Sequence, residues 1–426
     1  MIKYFVKYLY WFLTLLLGNL FYLYLKLKKN AIPYGKEITE LKGVIKKEIP
    51  QNPIWFHTVS VGETKGALPL IKRFLKESSE NIVVTTLTTT SKNIYLKELP
   101  NTTHLFAPLD SPLYVARFFK KVQPKALIIM ETELWPNTLA YAKKHNIPVI
   151  IINARLSNKS MQKYKKLGSI FNKLISDNLT KIICQNQNDY DNFANLEIPN
   201  SKLCLSGSLK FDIEPNYQHQ KNAQEIRKII GNKKVVCLAS THDNEEELFI
   251  NSFKNELINS SNLMLIIVPR HPERFNQIIN LAKDTNLNIA TRSENNINNQ
   301  TQIFIGNSMG ELELYFALSD LIIMGGSFTD IGGHNPLEAI ALNKPVLTGK
   351  YYYNFKTIFE ELFKANGSFI IDENNITSQI IDLISDENKL NNLSNNAYLV
   401  FKSKSGAINK TLIEINQCLN QINTHD

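Results

Sequence analysis

The chain has 426 residues, more than one hydrophobic core ordinarily serves, so two domains are expected. A hydrophobic share of 43% excludes disorder over most of the length, and four scattered cysteines (Cys184, Cys204, Cys237, Cys418) without a CxxC pair argue against a disulfide framework or metal site and fit a reducing compartment. The formal charge is +9, and residues 1–50 carry nine lysines against three glutamates, a balance that suits a membrane surface as well as a nucleic acid.

Residues 8–25, YLYWFLTLLLGNLFYLYL, contain no charged side chain. As a helix they would extend about 27 Å, just short of a hydrocarbon core of roughly 30 Å. Lys3 and Lys7 flank one end; Lys26, Lys28 and Lys29 flank the other. The pattern predicts a membrane anchor over 1–30, spanning or monotopic. A cleaved signal peptide is the weaker reading, because Asn30-Ala31-Ile32-Pro33 is a poor cleavage site, and a buried core helix is the third. The lysine bias leans toward a cytoplasmic body.

Beyond the anchor, apolar and β-branched runs alternate with helical stretches. Strands are expected at 54–59, 82–86, 126–130, 148–152, 181–184 and 203–205, with helices over 64–77 and 136–145. The rhythm repeats at 235–239, 263–268, 303–305, 321–324 and 346–347. Continuous apolar strands read as parallel sheets covered on both faces. The expectation is an α/β protein with two Rossmann-like domains, 31–212 and 213–405, facing a cleft. A C-terminal helix within 406–426 would cross back to the first domain. Ligands of such sheets bind beyond the carboxyl ends of the strands, so the candidate site residues are expected there.

In the first half, HTVSVGET follows strand 54–59, and Glu63 falls at a helix start. A carboxylate there caps the helix, or it serves as a general base; the helix N-terminus is expected to lower its pKa. METELWP follows strand 126–130. Glu131 is preferred over Glu133 as the site residue because it is nearer the buried strand end, although either can serve as a cap or ion-pair partner. Lys210 in GSLKFD offers a positive charge to an anionic donor, or is an ordinary surface lysine.

In the second half, ASTHDNEE places Ser240 and Thr241 to cap a helix or leave N–H groups facing a phosphate. VPRHPER puts Arg270, His271 and Arg274 at one strand end, and arginine's fork of donors suits phosphate or carboxylate. Gly306, Asn307, Ser308, Met309, Gly310 and Glu311 make a nest-like loop before a helix. GGSFTDIGGHNPLE, at 325–338, frees the backbone to wrap a ligand. Gly325, Gly326 and Ser327 are read as donor-binding, the two glycines through N–H groups aimed at phosphate. Asn335 caps the next helix with Pro336 at its first position, and Glu338 suits ribose hydroxyls.

In order, VSVGE at 59–63, ETELWP, GSLKFD, ASTH, VPRHPERF, GNSMGEL and GGSF…GGHNPLE resemble the Kdo (3-deoxy-D-manno-octulosonic acid) transferases of lipopolysaccharide assembly. The resemblance implies the glycosyltransferase B fold, CMP-Kdo as donor, and the lipid A precursor lipid IVA as acceptor at the cytoplasmic face of the bacterial inner membrane. It implies an inverting reaction with no cofactor and no bound metal, and no nucleic-acid partner. Glu63 is then the catalytic base and Glu131 a second essential carboxylate. Arg270 and the 306–311 loop are donor-binding, with Asn335 and Glu338 nearby. The chain departs from the common family pattern with Asn307-Ser308 in place of Asp-Thr, and with Asn244 near a usual glycine. The alternatives are an epimerase of the same fold and a non-catalytic, membrane-tethered nucleotide-binding protein.

Overall fold

The computed structural model describes residues 2–27 and 29–423. Lys28 of the anchor's flank and the last three residues of the C-terminal segment lie outside the described residues, as does Met1. The chain divides into two compact units. Unit 1 comprises Met1–Asp212 with Ser405–Asp426, and unit 2 comprises Ile213–Lys404.

Unit 1 opens with helix α1 (Ile2–Leu27). Its sheet has seven strands: β1 (Ile54–His57), β2 (Ile82–Thr86), β3 (Thr103–Phe106), β4 (Ala126–Met130), β5 (Val149–Ala154), β6 (Lys181–Cys184) and β7 (Leu203–Leu205). The order is β3-β2-β1-β4-β5-β6-β7, parallel throughout. Alternation along each strand splits the core in two. Trp55, Val83, Leu127 and Ile129 face one layer; Ile54, Phe56, Val84 and Ile128 face the other. The second layer is completed by helix Ala407–Asn423, which brings Ile408, Leu412, Ile415 and Leu419 onto it at helical spacing. Each such side chain contributes at most about 1.5–3 kcal/mol. The Asp212 carboxylate accepts the N–H groups of Gly406 and Ile408, and Ser405 Oγ donates to the Phe211 carbonyl at 2.9 Å, so the returning chain is tied where the outgoing one leaves.

Unit 2 has six parallel strands: β8 (Lys234–Thr241), β9 (Leu263–Pro269), β10 (Ile289–Thr291), β11 (Ile303–Ile305), β12 (Leu321–Met324) and β13 (Val346–Thr348). Their order is β10-β11-β9-β8-β12-β13. Strands β3 and β10 were not anticipated. Both are short, and both sit at a sheet edge, where the apolar signal is weakest.

Strand order reverses once in each sheet, between β1 and β4 in unit 1 and between β8 and β12 in unit 2. At such points the loops diverge and leave a crevice beyond the strand ends.

Candidate functional site

In unit 1 the switch point carries Glu63 after β1, and Glu131 and Glu133 after β4. Helix α2 (Val61–Glu77) starts earlier than the apolar periodicity suggests, because Ser60 caps it. Ser60 Oγ accepts the Glu63 N–H at 3.2 Å. The Glu63 carboxylate in turn accepts the Val59 N–H and the Ser60 hydroxyl, each at 2.9 Å. This is a capping box, and it fixes the carboxylate's direction. Glu63 is 8% exposed, so it is secluded but not sealed from solvent.

The expected lowering of its pKa by the helix terminus is overturned. Burial pushes the Glu63 carboxyl up; the Val59 and Ser60 hydrogen bonds oppose this, and the negative charge of Glu131 adds to the rise. Glu133 is raised by burial first, then by Glu63, while the Trp135 indole N–H donates to it at 3.0 Å. Strand alternation does not separate Glu131 from Glu133, because β4 ends at Met130 and Glu131 turns into the left-handed region with φ 59°. Both acid groups therefore act electrostatically in one cluster with Glu63. Glu131 also lies 3.8 Å from Arg155 Nη1.

Lys210 is exposed on a short turn, Leu209–Phe211. That turn is held by Asn153, whose Oδ1 accepts the Leu209 N–H at 3.1 Å. Asn153 is fully buried with φ 49°, and sequence reasoning passed over it. Asparagine within an otherwise aliphatic strand, VIIINA, was the available signal.

In unit 2 the switch point gathers Ser240 and Thr241 at the end of β8, His242 just beyond it, and the glycine-rich loop after β12. Ser240 takes φ 61°, and a Cβ at Gly325 would lie 2.6 Å from the Ser240 carbonyl oxygen, so only glycine lets the two strand ends close. The glycine loop does not offer its first N–H groups to a phosphate. Gly325 N–H donates to the Ala239 carbonyl at 2.8 Å. Gly326, Ser327 and Phe328 N–H donate to the Glu245 carboxylate at 2.8, 3.0 and 2.9 Å. Glu245 also accepts the His242 N–H at 2.9 Å. An internal carboxylate occupies the nest that the sequence suggested for a ligand.

The cap assigned to Ser240 and Thr241 is also corrected. Thr241 is buried and its hydroxyl donates to Glu246 at 2.5 Å, while Asn244 stands at the start of helix Glu245–Asn259 with φ 72°. That left-handed conformation is one that asparagine tolerates. Arg274 forms a fork on Glu246 at 2.8 and 2.9 Å and has a structural role. Arg270 is exposed, and no ion pair or side-chain hydrogen bond engages it among the described residues. His271 is exposed beside Glu273, 3.7 Å away.

His242 and His334 meet Nε2 to Nε2 at 2.8 Å with their rings stacked, so one donates and the other accepts. Burial lowers both pKa values, His334 to about 4, and the positive charge of Arg270 reinforces the effect. His334 lies in the GGHNPLE run, where local sequence gives no sign of a partner 92 residues away.

The 306–311 loop is partly engaged within the unit. Asn307 Oδ1 accepts the Ser293 N–H at 2.9 Å, Ser308 Oγ meets the Tyr315 hydroxyl at 2.7 Å, and Glu311 forks onto Arg292 at 3.0 and 2.7 Å. Arg292 holds the Glu311 carboxyl below its usual range. These side chains brace the loop. Gly306 N–H donates to the Ile267 carbonyl, whereas the N–H groups of Ser308, Met309 and Gly310 have no acceptor among the described residues, and Met309 is exposed. Asn335 Oδ1 accepts the Leu337 N–H at 3.2 Å, with Pro336 just before helix Leu337–Ala341 and not at its first position. Glu338 is exposed. Among the described residues, no group of three or more His, Cys, Asp or Glu is placed to hold a metal ion.

Comparison with known proteins gives these features a family. Residues 36–213 match the model described as 3-deoxy-D-manno-octulosonic-acid transferase (kdotransferase), and residues 242–400 match glycosyl transferases group 1. A 3-deoxy-D-manno-octulosonic acid transferase from Haemophilus influenzae is 35% identical over 372 residues, covering 85% of this chain and 86% of the relative. The chain belongs to the 3-deoxy-D-manno-octulosonic acid transferase family.

It is thus a glycosyltransferase. Two solved structures share the fold of this Kdo transferase family member. One is a glycosyltransferase from Rickettsia africae (TM-score 0.52, 15% identity, 88% of this chain and 99% of the other). The second is a UDP-GlcNAc 2-epimerase from Neisseria meningitidis bound to UDP-GlcNAc (TM-score 0.55, 15% identity, 85% and 98%). At that identity the likeness is one of architecture, two parallel α/β units of the glycosyltransferase B class, and carries no activity with it.

Proposed function

We propose that this chain transfers Kdo from CMP-Kdo to lipid IVA at the cytoplasmic face of the bacterial inner membrane, with Glu63 as general base. The observation that carries the reading is the Glu63 carboxylate, aimed by its capping box at the switch point of unit 1 and raised in pKa by burial and by Glu131. A base of raised pKa accepts a proton more readily, provided that it remains ionised at working pH. Glu63 takes the proton of the acceptor hydroxyl as its oxygen bonds the anomeric carbon. The bond from that carbon to the CMP phosphate breaks, and CMP leaves as an anion from the opposite face, so the centre inverts.

Unit 2 supplies the donor-binding groups. Arg270 meets the departing negative charge, and the unengaged N–H groups of Ser308, Met309 and Gly310 donate to oxygens of the CMP-sugar. Ser240, His271, Asn335 and Glu338 are assigned to the same donor region, and Lys210 in unit 1 adds a positive charge. Thr241, Gly325, Gly326 and Ser327 shape it from behind. No metal is required in this scheme, because the cation that offsets the leaving group is a side chain.

The test uses the purified chain with CMP-Kdo and lipid IVA, read by product mass. Transfer should add one or more Kdo increments. Glu63→Gln should lower kcat by roughly 10²–10⁴-fold and leave CMP binding unchanged. Full turnover by that variant removes Glu63 from its role. Nucleotide binding without any transfer by the parent chain would point to a non-catalytic binding protein.

A further inference from the structure

Helix α1 is long and apolar enough to cross a membrane, yet it is docked lengthwise on unit 1 by polar contacts. Tyr10 OH donates to Asp110 Oδ2 at 2.9 Å. Asn137 Nδ2 donates to Thr14 Oγ1 at 3.0 Å. Gly18 comes close enough that a Cβ there would sit 3.5 Å from Ser111 Cβ. Tyr114 OH donates to Asn19 Oδ1 at 2.5 Å, the Lys42 ammonium lies 4.0 Å from the centre of the Tyr22 ring, and Leu25 is buried with Ile38, Leu41 and Phe106. Residues 10 to 25 thus touch the domain over about 22 Å of helix.

Asp110 is no incidental partner. Its buried carboxylate also accepts the N–H groups of Asn137 and Thr138 at 3.0 and 2.8 Å, at the start of helix Pro136–Lys144. A helix held in this way cannot carry its contact stripe through hydrocarbon, because Asp110, Asn137 and Lys42 would have to enter with it.

The opposite arc is apolar and uncovered. Phe12, Leu13, Leu16, Leu17, Leu20 and Leu23 are between 42% and 63% exposed. Beside α1 packs helix Ser169–Leu174, the end of a segment with five lysines (Lys159, Lys163, Lys165, Lys166, Lys173) and no acidic residue between 159 and 173. An apolar strip beside a basic one is complementary to an anionic lipid surface, with acyl chains under the strip and headgroup phosphates beside the lysines.

We propose that α1 is an in-plane membrane helix, its polar face latched to unit 1 through Asp110 and its apolar face set into an anionic phospholipid leaflet. This rests on the membrane association in the proposed function and specifies its geometry.

The test places single cysteines at Phe12, Leu16, Leu20 and Leu23 of the full chain and labels them with an environment-sensitive dye. The parent chain, whose four cysteines are buried or partly buried, is the labelling control. Vesicles of phosphatidylcholine with phosphatidylglycerol carry lipid spin labels at graded depths. All four positions should report one shallow depth, roughly 5–10 Å below the headgroups. Flotation should weaken roughly tenfold or more in phosphatidylcholine alone or at high salt. Depths spread across about 30 Å, deepest mid-helix, would overturn the in-plane geometry while leaving membrane binding intact. Absence of flotation would instead overturn membrane association itself. Dye shielding without vesicles that grows with protein concentration would assign the face to a second copy of the chain and overturn the lipid assignment.

Discussion

The buried carboxylate of Glu245 accepts the backbone N–H of Gly326 at 2.8 Å, from a residue 81 positions away in the chain. With the Ser327, Phe328 and His242 donors it satisfies four N–H groups at the unit 2 switch point. Glu245→Ala should therefore strand several buried donors and destabilise unit 2 by about 3 kcal/mol or more. Glu245→Gln should cost less, since its carbonyl oxygen still accepts. Urea unfolding of the two variants checks the order, and equal costs would show that the carboxylate is not what holds the loop.

Two arginines near one strand end should behave oppositely. Arg274 is mostly buried against Glu246, so Arg274→Ala leaves an uncompensated buried carboxylate and should cost about 3–5 kcal/mol. Arg270 is exposed, and Arg270→Ala should change stability by less than about 0.5 kcal/mol. It should nonetheless weaken CMP binding by roughly tenfold or more, as loss of a charge-assisted contact does. Calorimetric binding alongside thermal unfolding separates the two.

The acid limb of the kcat/KM profile reports the base in the free enzyme. Because the charge of Glu131 helps hold the Glu63 pKa up, Glu131→Gln should move that limb to lower pH. A shift upward, or none, would show that the limb belongs to another group.

His57 should make the fold acid-sensitive. Buried at the end of the interior strand β1 and held by Thr85 at 2.8 Å, it is lowered to about 4 from an ordinary 6.5. Between those values the unfolded chain binds the proton and the folded chain does not, so stability rises with pH across the window and is lost as pH falls through it. At pH 5 this one group removes about 2 kcal/mol relative to neutral pH. Replacement by Gln should flatten the pH dependence of the urea midpoint between pH 7 and 5.

The alternation of apolar runs with helices made the two parallel sheets legible, since strands such as β4 and β12 are buried on both faces and read as unbroken LIIM-like runs. The switch-point motifs were legible for the same reason, because each follows such a strand. What escaped was long-range. The neighbour of Gly326 is Glu245, and that pairing exists only once β8 and β12 lie side by side. The direction of the Glu63 pKa escaped likewise. Local sequence shows the helix terminus that lowers it, whereas burial and the charge of Glu131, 68 residues on, need the folded sheet.

The last helix has a consequence for synthesis. Its aliphatic side chains complete one core layer of unit 1, but they are translated only after the whole of unit 2. During elongation the first unit must wait with Ile54, Phe56 and their neighbours incompletely covered. A ribosome that stalls before codon 405 would release a nascent chain with an open greasy flank, a natural target for holding chaperones and proteases.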